Sequence, residues 1–437
     1  TATTVFLALA FGDAPSSGGS RLVALFDLWR GNGGLWKLLE FAMQMCLILV
    51  AGHALASSPP AARAIQALAA RPETTRQAAV LVCLVTCLTA VLNWGLSLIL
   101  GALLAREVGR SMSRRGRPAH YPLLAAAGYL GLLVWHGGFS GSATLTMTSA
   151  VEAAKVLPPA YVAQLGGRGV PLTETTFSAL NVFVTLGLVV GLPVLMGFLA
   201  PRDEDEMLPV EHFRPATVSP APVIADAGGG TLPDRLDRSF FLAALLALPL
   251  LLVPLRHIAV NGLAALDLKA IIAAMIGLGL LLHGSLRAYL EAVEEGAGSC
   301  GGIILQFPLY GGIMALMEGS GLVRRFADAL TGLGPPATVP LTSFLAGCVI
   351  NMFIPSGGGH WAVQGPVALQ SGLQAGIPPG KMILSVAYGG EVTDMLQPFW
   401  ALPLLAITGV RARDIVGYTA IAMVAAAAWM LLGLVLF

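Results

Sequence analysis

Glu391 and Asp394 stand three residues apart in an apolar stretch, so a helix there puts both carboxylates on one face. Ionisable groups inside apolar helices are expensive, and the default reading is that they work: they carry a proton, or they help backbone carbonyls hold Na⁺. The alternative is a locally wet segment with two ordinary solvated carboxylates. A second cluster, Ser356-Gly357-Gly358-Gly359-His360, follows Pro355 and opens an apolar helix. Glycines let the chain turn tightly and present bare N–H groups. The helix behind them points its positive dipole end back at the turn. Together with Asn351, Ser356 and His360, this turn is expected to hold one negatively charged oxygen group, such as a carboxylate. A glycine-lined contact between helices would use the same residues.

A third cluster runs His136-Gly137-Gly138-Phe139-Ser140-Gly141-Ser142-Ala143-Thr144. His136, Gly138, Ser140 and Ser142 supply polar groups and free backbone within an apolar helix, suited to lining a substrate cavity. The alternative is a kink satisfied by its own hydroxyls. Asn93 and Trp94 form a fourth break, where Asn caps a broken helix and Trp closes an apolar pocket; a purely structural cap is the competing reading. Gln397, before Pro398, is expected to donate hydrogen bonds to substrate or backbone. Phe353, Trp361, Phe399 and Trp400 are candidates to enclose an apolar tail. His53 and His283 end apolar helices and read as interfacial, and Lys37 is the natural partner of Glu40.

No set for enzymatic chemistry accompanies these residues. The sequence has no zinc-binding HExxH, no Gly-x-Ser-x-Gly elbow and no Walker A loop. That argues against an enzyme and against a self-contained ATP-driven pump, and calls for no cofactor. The five cysteines lie in apolar stretches without paired spacing. Cys83 and Cys87 share a helix face but lack further ligands for a metal.

The 437 residues that must position these groups are 56% hydrophobic and only 11% charged, with a mean hydropathy of +0.78. Soluble chains carry about 25% charged residues, so the composition reads as an all-α polytopic membrane protein surrounded by lipid. A net charge of +1 without a basic face excludes a nucleic-acid binder. Apolar stretches at 36–56, 177–200, 239–256, 267–286, 302–318 and 415–437 are long enough to span. Four more, 78–105, 121–157, 338–370 and 382–409, are interrupted by the clusters above. The short run Val5–Phe11 reads as the end of a first helix whose start precedes Thr1. Residues 201–238 are expected to form a mobile, polar, cytoplasmic linker.

The two halves repeat the same order: a span with a central Gln (Gln44, Gln306), an Asn-centred break (Asn93, Asn351), a Gly-rich break (Gly137-Gly138, Gly389-Gly390) and a final span. Residues 1–200 then form the first repeat. Residues 239–437 hold an extra helix at 239–256 and the second repeat. If 78–105 is a re-entrant hairpin, loops 57–77 and 106–120 share one side, and together they hold Arg63, Arg71, Arg76, Arg106, Arg110, Arg114, Arg115 and Arg117. The loops flanking 338–370 hold only Arg324, Arg325 and Lys381. The positive-inside bias then predicts an inverted repeat: nine spans and two hairpins, the first opening to the cytoplasm and the second outward. Paired broken helices in corresponding places mark a transporter's substrate site.

Several segments resemble the bacterial short-chain fatty acid transporter family. They are Trp36-Lys-Leu-Leu-Glu-Phe-Ala-Met-Gln-Met45, Gly52-His-Ala-Leu-Ala-Ser-Ser58, Gly137-Gly-Phe-Ser-Gly-Ser142, Gln306-Phe-Pro308, Pro355-Ser-Gly-Gly-Gly-His-Trp361 and Gln397-Pro-Phe-Trp-Ala-Leu-Pro403. The resemblance runs nearly end to end. It implies a carrier in the bacterial cytoplasmic (inner) membrane for short monocarboxylates such as butyrate and acetoacetate, driven by H⁺ or Na⁺. It also implies an elevator-type motion and a homodimer. The chain departs from the family pattern at His136, where Gly is expected, and at Glu391 and Asp394, where some relatives carry amides. Acidic groups beside an anionic substrate repel it unless protonated or balanced by a cation. A rival reading is a cation/proton antiporter using Glu391 and Asp394 without an organic substrate. Ser356→Ala and Asn351→Ala are each expected to lower uptake while leaving the folded yield intact.

Overall fold

A computed structural model describes the chain except for residues 1, 14–19, 118, 149, 151–161, 164–168, 214–231, 262–267, 323–324, 326–328 and 330–334. The described residues are helical, with no strand among them. Helices α1 (Ala2–Phe11), α2 (Arg21–Arg30), α3 (Leu39–Ser57) and α4 (Pro59–Ala69) precede the first break. Ser58 and the two prolines after it bend the chain by 81° between α3 and α4, because proline cannot continue a helix already under way.

Helices α5 (Thr75–Leu92) and α6 (Trp94–Arg114) meet at Asn93 and fold back on each other. The Ser97 hydroxyl donates to the Thr86 carbonyl at 2.7 Å, pinning the two arms side by side. The second arm is longer than the apolar pattern suggests. It continues through Arg106, Arg110 and Arg114, which are good helix formers, and Glu107 pairs with Arg106 and Arg110. Helix α7 (Tyr121–Tyr129) runs into a 3₁₀ turn at Leu130–Leu133, and α8 (Ser142–Thr146) follows after the glycine-rich break. The end of the 121–157 segment lies outside the described residues. Gly101 of α6 and Gly128 of α7 bring the two backbones into contact. A Cβ on either would fall 2.2 to 2.6 Å from the other's carbonyl oxygen, the small-residue contact by which helices pack where lipid supplies no hydrophobic drive. Helix α9 (Ala179–Phe198) begins at Ser178, whose side chain caps it.

The expectation of a mobile linker at 201–238 fails for its first third. Residues 201–213 pack against the ends of α6 and α7: Tyr121 N–H donates to the Leu208 carbonyl, Leu208 N–H to His120 Nδ1, and Ser113 to Glu211. Burial pushes the His120 imidazole below its ordinary pKa, which keeps it neutral and able to accept. Residues 214–231 lie outside the described residues.

The second half runs α10 (Leu232–Asp237), α11 (Phe240–Asn261), α12 (Leu268–His283), α13 (Leu286–Ala297) and α14 (Gly301–Gly319). Helix α11 exposes Phe240, Phe241, Leu252 and Val253, an apolar surface suited to lipid. Helices α15 (Val339–Asn351) and α16 (Gly357–Gln374) form a second pair of arms. The Gln364 side chain reaches back across it to the Ser343 carbonyl at 2.7 Å. With 13 residues, α15 is about 20 Å long, too short for a hydrocarbon layer of about 30 Å. Helix α17 (Pro379–Thr393) passes through a 3₁₀ turn at Asp394–Leu396 into α18 (Pro398–Thr408), and α19 (Ala412–Leu436) closes the chain.

Two readings need correction. The break in 382–409 falls at Asp394–Gln397, not at Gly389-Gly390, because Pro398 forces Gln397 out of the helical region. Gly389 serves packing instead: a Cβ there would lie 2.2 Å from the Phe344 carbonyl oxygen. Lys37 pairs with Glu318, and Glu40 pairs with Lys269. Among the described residues five helices, α5, α9, α11, α14 and α19, are long and apolar enough to cross a membrane, or six if the bent α3–α4 pair is one span. At 16 residues α12, matched to 267–286, falls short of that length. One apolar core joins both halves.

Candidate functional site

The four breaks singled out from the sequence meet in the interior. The side chains of Asn93, His136, Asn351, His360, Glu391, Asp394 and Gln397 are all buried. Asn93 caps α6: its Oδ1 accepts from Gly95 and Leu96 N–H at 2.9 and 3.1 Å. The neighbouring Trp94 N–H donates to Ser140 Oγ, and Phe139 N–H donates to the Val91 carbonyl. The glycine-rich break therefore docks on the first turn. Gly138 permits this, since a Cβ there would lie 2.3 Å from the Val91 carbonyl oxygen.

The matched residue Asn351 has a different job. It ends α15, and its Nδ2 reaches Gly390 O, Thr393 Oγ1 and Asp394 Oδ1 at 2.8, 3.1 and 2.9 Å. Gln397 Nε2 donates to the Asn351 carbonyl at 2.8 Å. Asn351 and Gln397 thus tie the second turn to the break after α17, and Gln397 bonds to backbone, one of the two partners expected for it.

The acidic pair bridges the halves. Glu391 Oε1 accepts the His136 backbone N–H at 3.1 Å. Asp394 accepts from Asn351 and from Trp135 Nε1, the latter at 3.3 Å. Tyr129 donates to the Asp394 carbonyl at 2.7 Å. These partners are N–H and O–H donors, and neither Lys nor Arg is among them.

His136 faces Ala387 with Nδ1, 2.7 Å from that carbonyl oxygen. Its Nε2 makes no hydrogen bond among the described residues. A Cβ built on Gly357 would lie 2.7 Å from Trp135, 2.9 Å from His136 Nε2 and 3.0 Å from Ser142 Oγ. The first residue of α16 is therefore pressed against the break in the first half. Ser356 caps α16 by accepting from Gly359 N–H at 3.3 Å. Gly358 is exposed and a Cβ there would meet nothing within 4 Å, so the positive end of α16 is open at that residue. His360 turns away from the tip and contacts Gln364 Oε1 at 2.5 Å.

The aromatic wall differs from the expected one. Trp94, Trp135 and Trp400 form a mutual cluster with ring centroids 5.1 to 6.5 Å apart, and Phe399 packs on Trp400. Trp361 is buried in a separate cluster with Met147 and Met382, and Phe353 is only partly buried at the edge of the main core. Trp135, Gln364, Tyr129, Tyr388 and Asn181 were missed. Tyr388 donates to Asn181 Oδ1, and Asn181 Nδ2 donates to the Gly137 carbonyl, fixing the glycine-rich break. Gln364, Tyr129, Tyr388 and Asn181 are polar-capable residues in apolar helices, the signal that could have found them, whereas Trp135 lies in the break itself. No group of three or more potential metal ligands occurs among the described residues.

A family model described as short chain fatty acid transporter matches residues 9–437. A protein of Escherichia coli provisionally named a short-chain fatty acid transporter is 35% identical over 422 residues, covering 95% of this chain and 90% of that one. A protein of the same provisional name from Haemophilus influenzae is 34% identical over 415 residues, covering 94% and 90%. Among solved structures, the Alcanivorax borkumensis YdaH transporter is similar with a TM-score of 0.41 and 17% identity, over 99% of this chain and 95% of that one. Neisseria gonorrhoeae MtrF, from a class of antimetabolite efflux pumps, is similar with a TM-score of 0.39 and 14% identity, over 98% and 93%. The protein is a multi-pass membrane transporter rather than an enzyme. By a match across nearly its whole length, the chain belongs to the short chain fatty acid transporter family.

Proposed function

We propose that the protein is a secondary active carrier for short-chain monocarboxylates, butyrate and acetoacetate among them, in the bacterial cytoplasmic membrane. Alternating access brings the carboxylate to the tip of α16. There Ser142, Ser356 and the N–H groups of Gly357, Gly358 and Gly359 receive it, while Trp94, Trp135 and Trp400 enclose the tail. The observation that carries this reading is the burial of four chain breaks around one open helix N-terminus, in a protein of this family.

A coupling cation, H⁺ or Na⁺, follows from charge. Glu391 and Asp394 are buried without a basic partner among the described residues, and wherever either is ionised a substrate anion beside it needs a compensating positive charge. Both carboxylates already accept protein donors, which weighs against their acting alone as an antiporter's exchange site.

An inverted repeat and elevator motion belong to the same proposal. In its support, Arg115 donates to the carbonyls of Ala70 and Pro72 at the end where the first hairpin opens. Gly380, just beyond the second hairpin, lies instead against Glu174, before the start of α9. The corresponding helices α3 and α14 pack together, as do α9 and α19. A homodimer completes the reading by family resemblance.

The test is uptake of radiolabelled butyrate and acetoacetate by proteoliposomes under imposed pH or Na⁺ gradients. Gradient-driven accumulation is expected. Na⁺ flux independent of either acid would replace this reading with the antiporter.

A further inference from the structure

Two features at the tip of α16 have no use in holding the protein together. One is the bare helix N-terminus at Gly357 and Gly358. The other is His136 Nε2, which belongs to a side chain only 2% exposed and has no hydrogen-bond partner among the described residues. The geometry brings them face to face, since a single methyl on Gly357 would lie 2.9 Å from that nitrogen. The 2.7 Å contact of Nδ1 with the Ala387 carbonyl fixes the tautomer, because a carbonyl only accepts. Nδ1 therefore carries the hydrogen, and Nε2 of the neutral ring presents a lone pair to the positive end of the helix.

From this juxtaposition we infer that His136 Nε2 is the proton-binding atom that couples one H⁺ to each carboxylate carried. The inference rests on the carrier function proposed above. With the ring neutral, the lone pair attracts the helix N-terminus and the tip closes without substrate. With the ring protonated, an N–H bond faces the helix's own N–H groups, two positive partners that repel, and the tip opens. A carboxylate placed between them accepts from both and lets the tip close again. Closure is thus favoured for the empty carrier and for the carrier holding proton and anion together, and opposed when only one is present. Those are the states a symporter must and must not translocate. The proton adds to Nε2 and leaves from it, no other bond changes, and the loaded site gains no net charge.

The surrounding charges favour this pairing. Glu391, Asp394 and Tyr388 face the break from α17 and the turn after it, His360 from α16, Cys87 from α5 and Tyr129 from α7. Either carboxyl, whenever it is ionised, repels an unaccompanied anion and attracts the proton that must come with it.

Proton uptake on addition of butyrate to purified protein, followed with an indicator dye in weak buffer, tests the inference. Wild type is expected to take up one proton per bound butyrate. Its affinity should rise about tenfold per unit fall in pH while the free imidazole is neutral. His136→Asn keeps a donor to Ala387 but has nothing to titrate at Nε2; it should take up no proton and bind with a pH-independent affinity. His136→Gln is the second variant, and a melting curve checks that each is folded. Butyrate binding by wild type without proton uptake overturns the inference and leaves the carrier reading standing, as does undiminished uptake in a folded variant. Should neither variant fold, the imidazole nitrogen resonances of wild type decide: Nε2 of His136 should change to the protonated form when butyrate binds, and an unchanged ring overturns the inference. Wild type that neither binds nor moves butyrate removes the carrier reading, and this inference with it.

Discussion

Asn351, read from the sequence as a substrate ligand, has an architectural task in the structure. Its Nδ2 serves three oxygens, two at the end of α17 and the third, Asp394 Oδ1, on the turn that follows. Asn351→Ala leaves those acceptors without their donor, and an unmet buried polar group costs about 1–3 kcal/mol. The variant is therefore expected to lose folded yield and melting temperature as well as uptake, where the residue type alone suggested intact folding. An unchanged melting temperature would refute this structural role. Ser356 makes no such tie between elements but caps α16, so Ser356→Ala should lower uptake with only a small loss of melting temperature, a cap being worth about 1 kcal/mol. Gly357 is decided by space: its Cβ would fall within 3.0 Å of Trp135, His136 and Ser142. Gly357→Ala should hold the tip away and lower butyrate uptake roughly tenfold to a hundredfold, since an ångström of misplacement costs that much in a positioned site. Full uptake by this variant would show that the tip need not close on His136. The candidate residues themselves were legible because each is polar or glycine in an apolar run. Trp135 was not, because nothing in its sequence neighbourhood marks the indole that donates to Asp394.

Three elements build the aromatic wall: Trp94 opens α6, Trp135 ends the segment after α7, and Trp400 lies in the first turn of α18. Each methylene buried in such a pocket adds about 0.8 kcal/mol, close to a fourfold gain in affinity. That gain stops where the rings meet, and the three ring centroids stand only 5.1 to 6.5 Å apart. Wild type should therefore prefer short acids. Trp94→Ala should raise uptake of hexanoate relative to butyrate, measured as competition against labelled butyrate, and an unshifted ratio would place the tail elsewhere. The breaks that carry these rings were readable where a local residue dictates the backbone. Asn93 caps its own helix, and the Ser356 hydroxyl does the same for α16. The glycine pair Gly389-Gly390 misled because glycine marks either a break or a close approach, and only the tertiary partner Phe344 tells which. Helix ends set by charge, such as the extension of α6 to Arg114, escape an apolar pattern for a related reason: the pattern ends where the helix does not.

At the scale of the whole molecule, the proposed repeat has an orientation with one direct consequence for labelling. If the halves are inverted, Arg71, before the first hairpin, and Gln374, at the end of the second, lie on opposite sides of the membrane. Both positions are exposed, whereas the five native cysteines are buried or partly so. Single cysteines at Arg71 and Gln374 therefore stand out against a low background. In right-side-out vesicles a membrane-impermeant maleimide should label Gln374→Cys and spare Arg71→Cys, and in inside-out vesicles the pattern should reverse. The positive-inside bias sets the sign, because the loops beside Arg71 carry the excess of arginine. Labelling of both positions from one side would mean that the two hairpins open alike. In that case the matched order of Gln, Asn and glycine in the two halves would reflect a parallel repeat. The two tips would then no longer approach a shared site from opposite faces, and alternating access would have to come from some other motion.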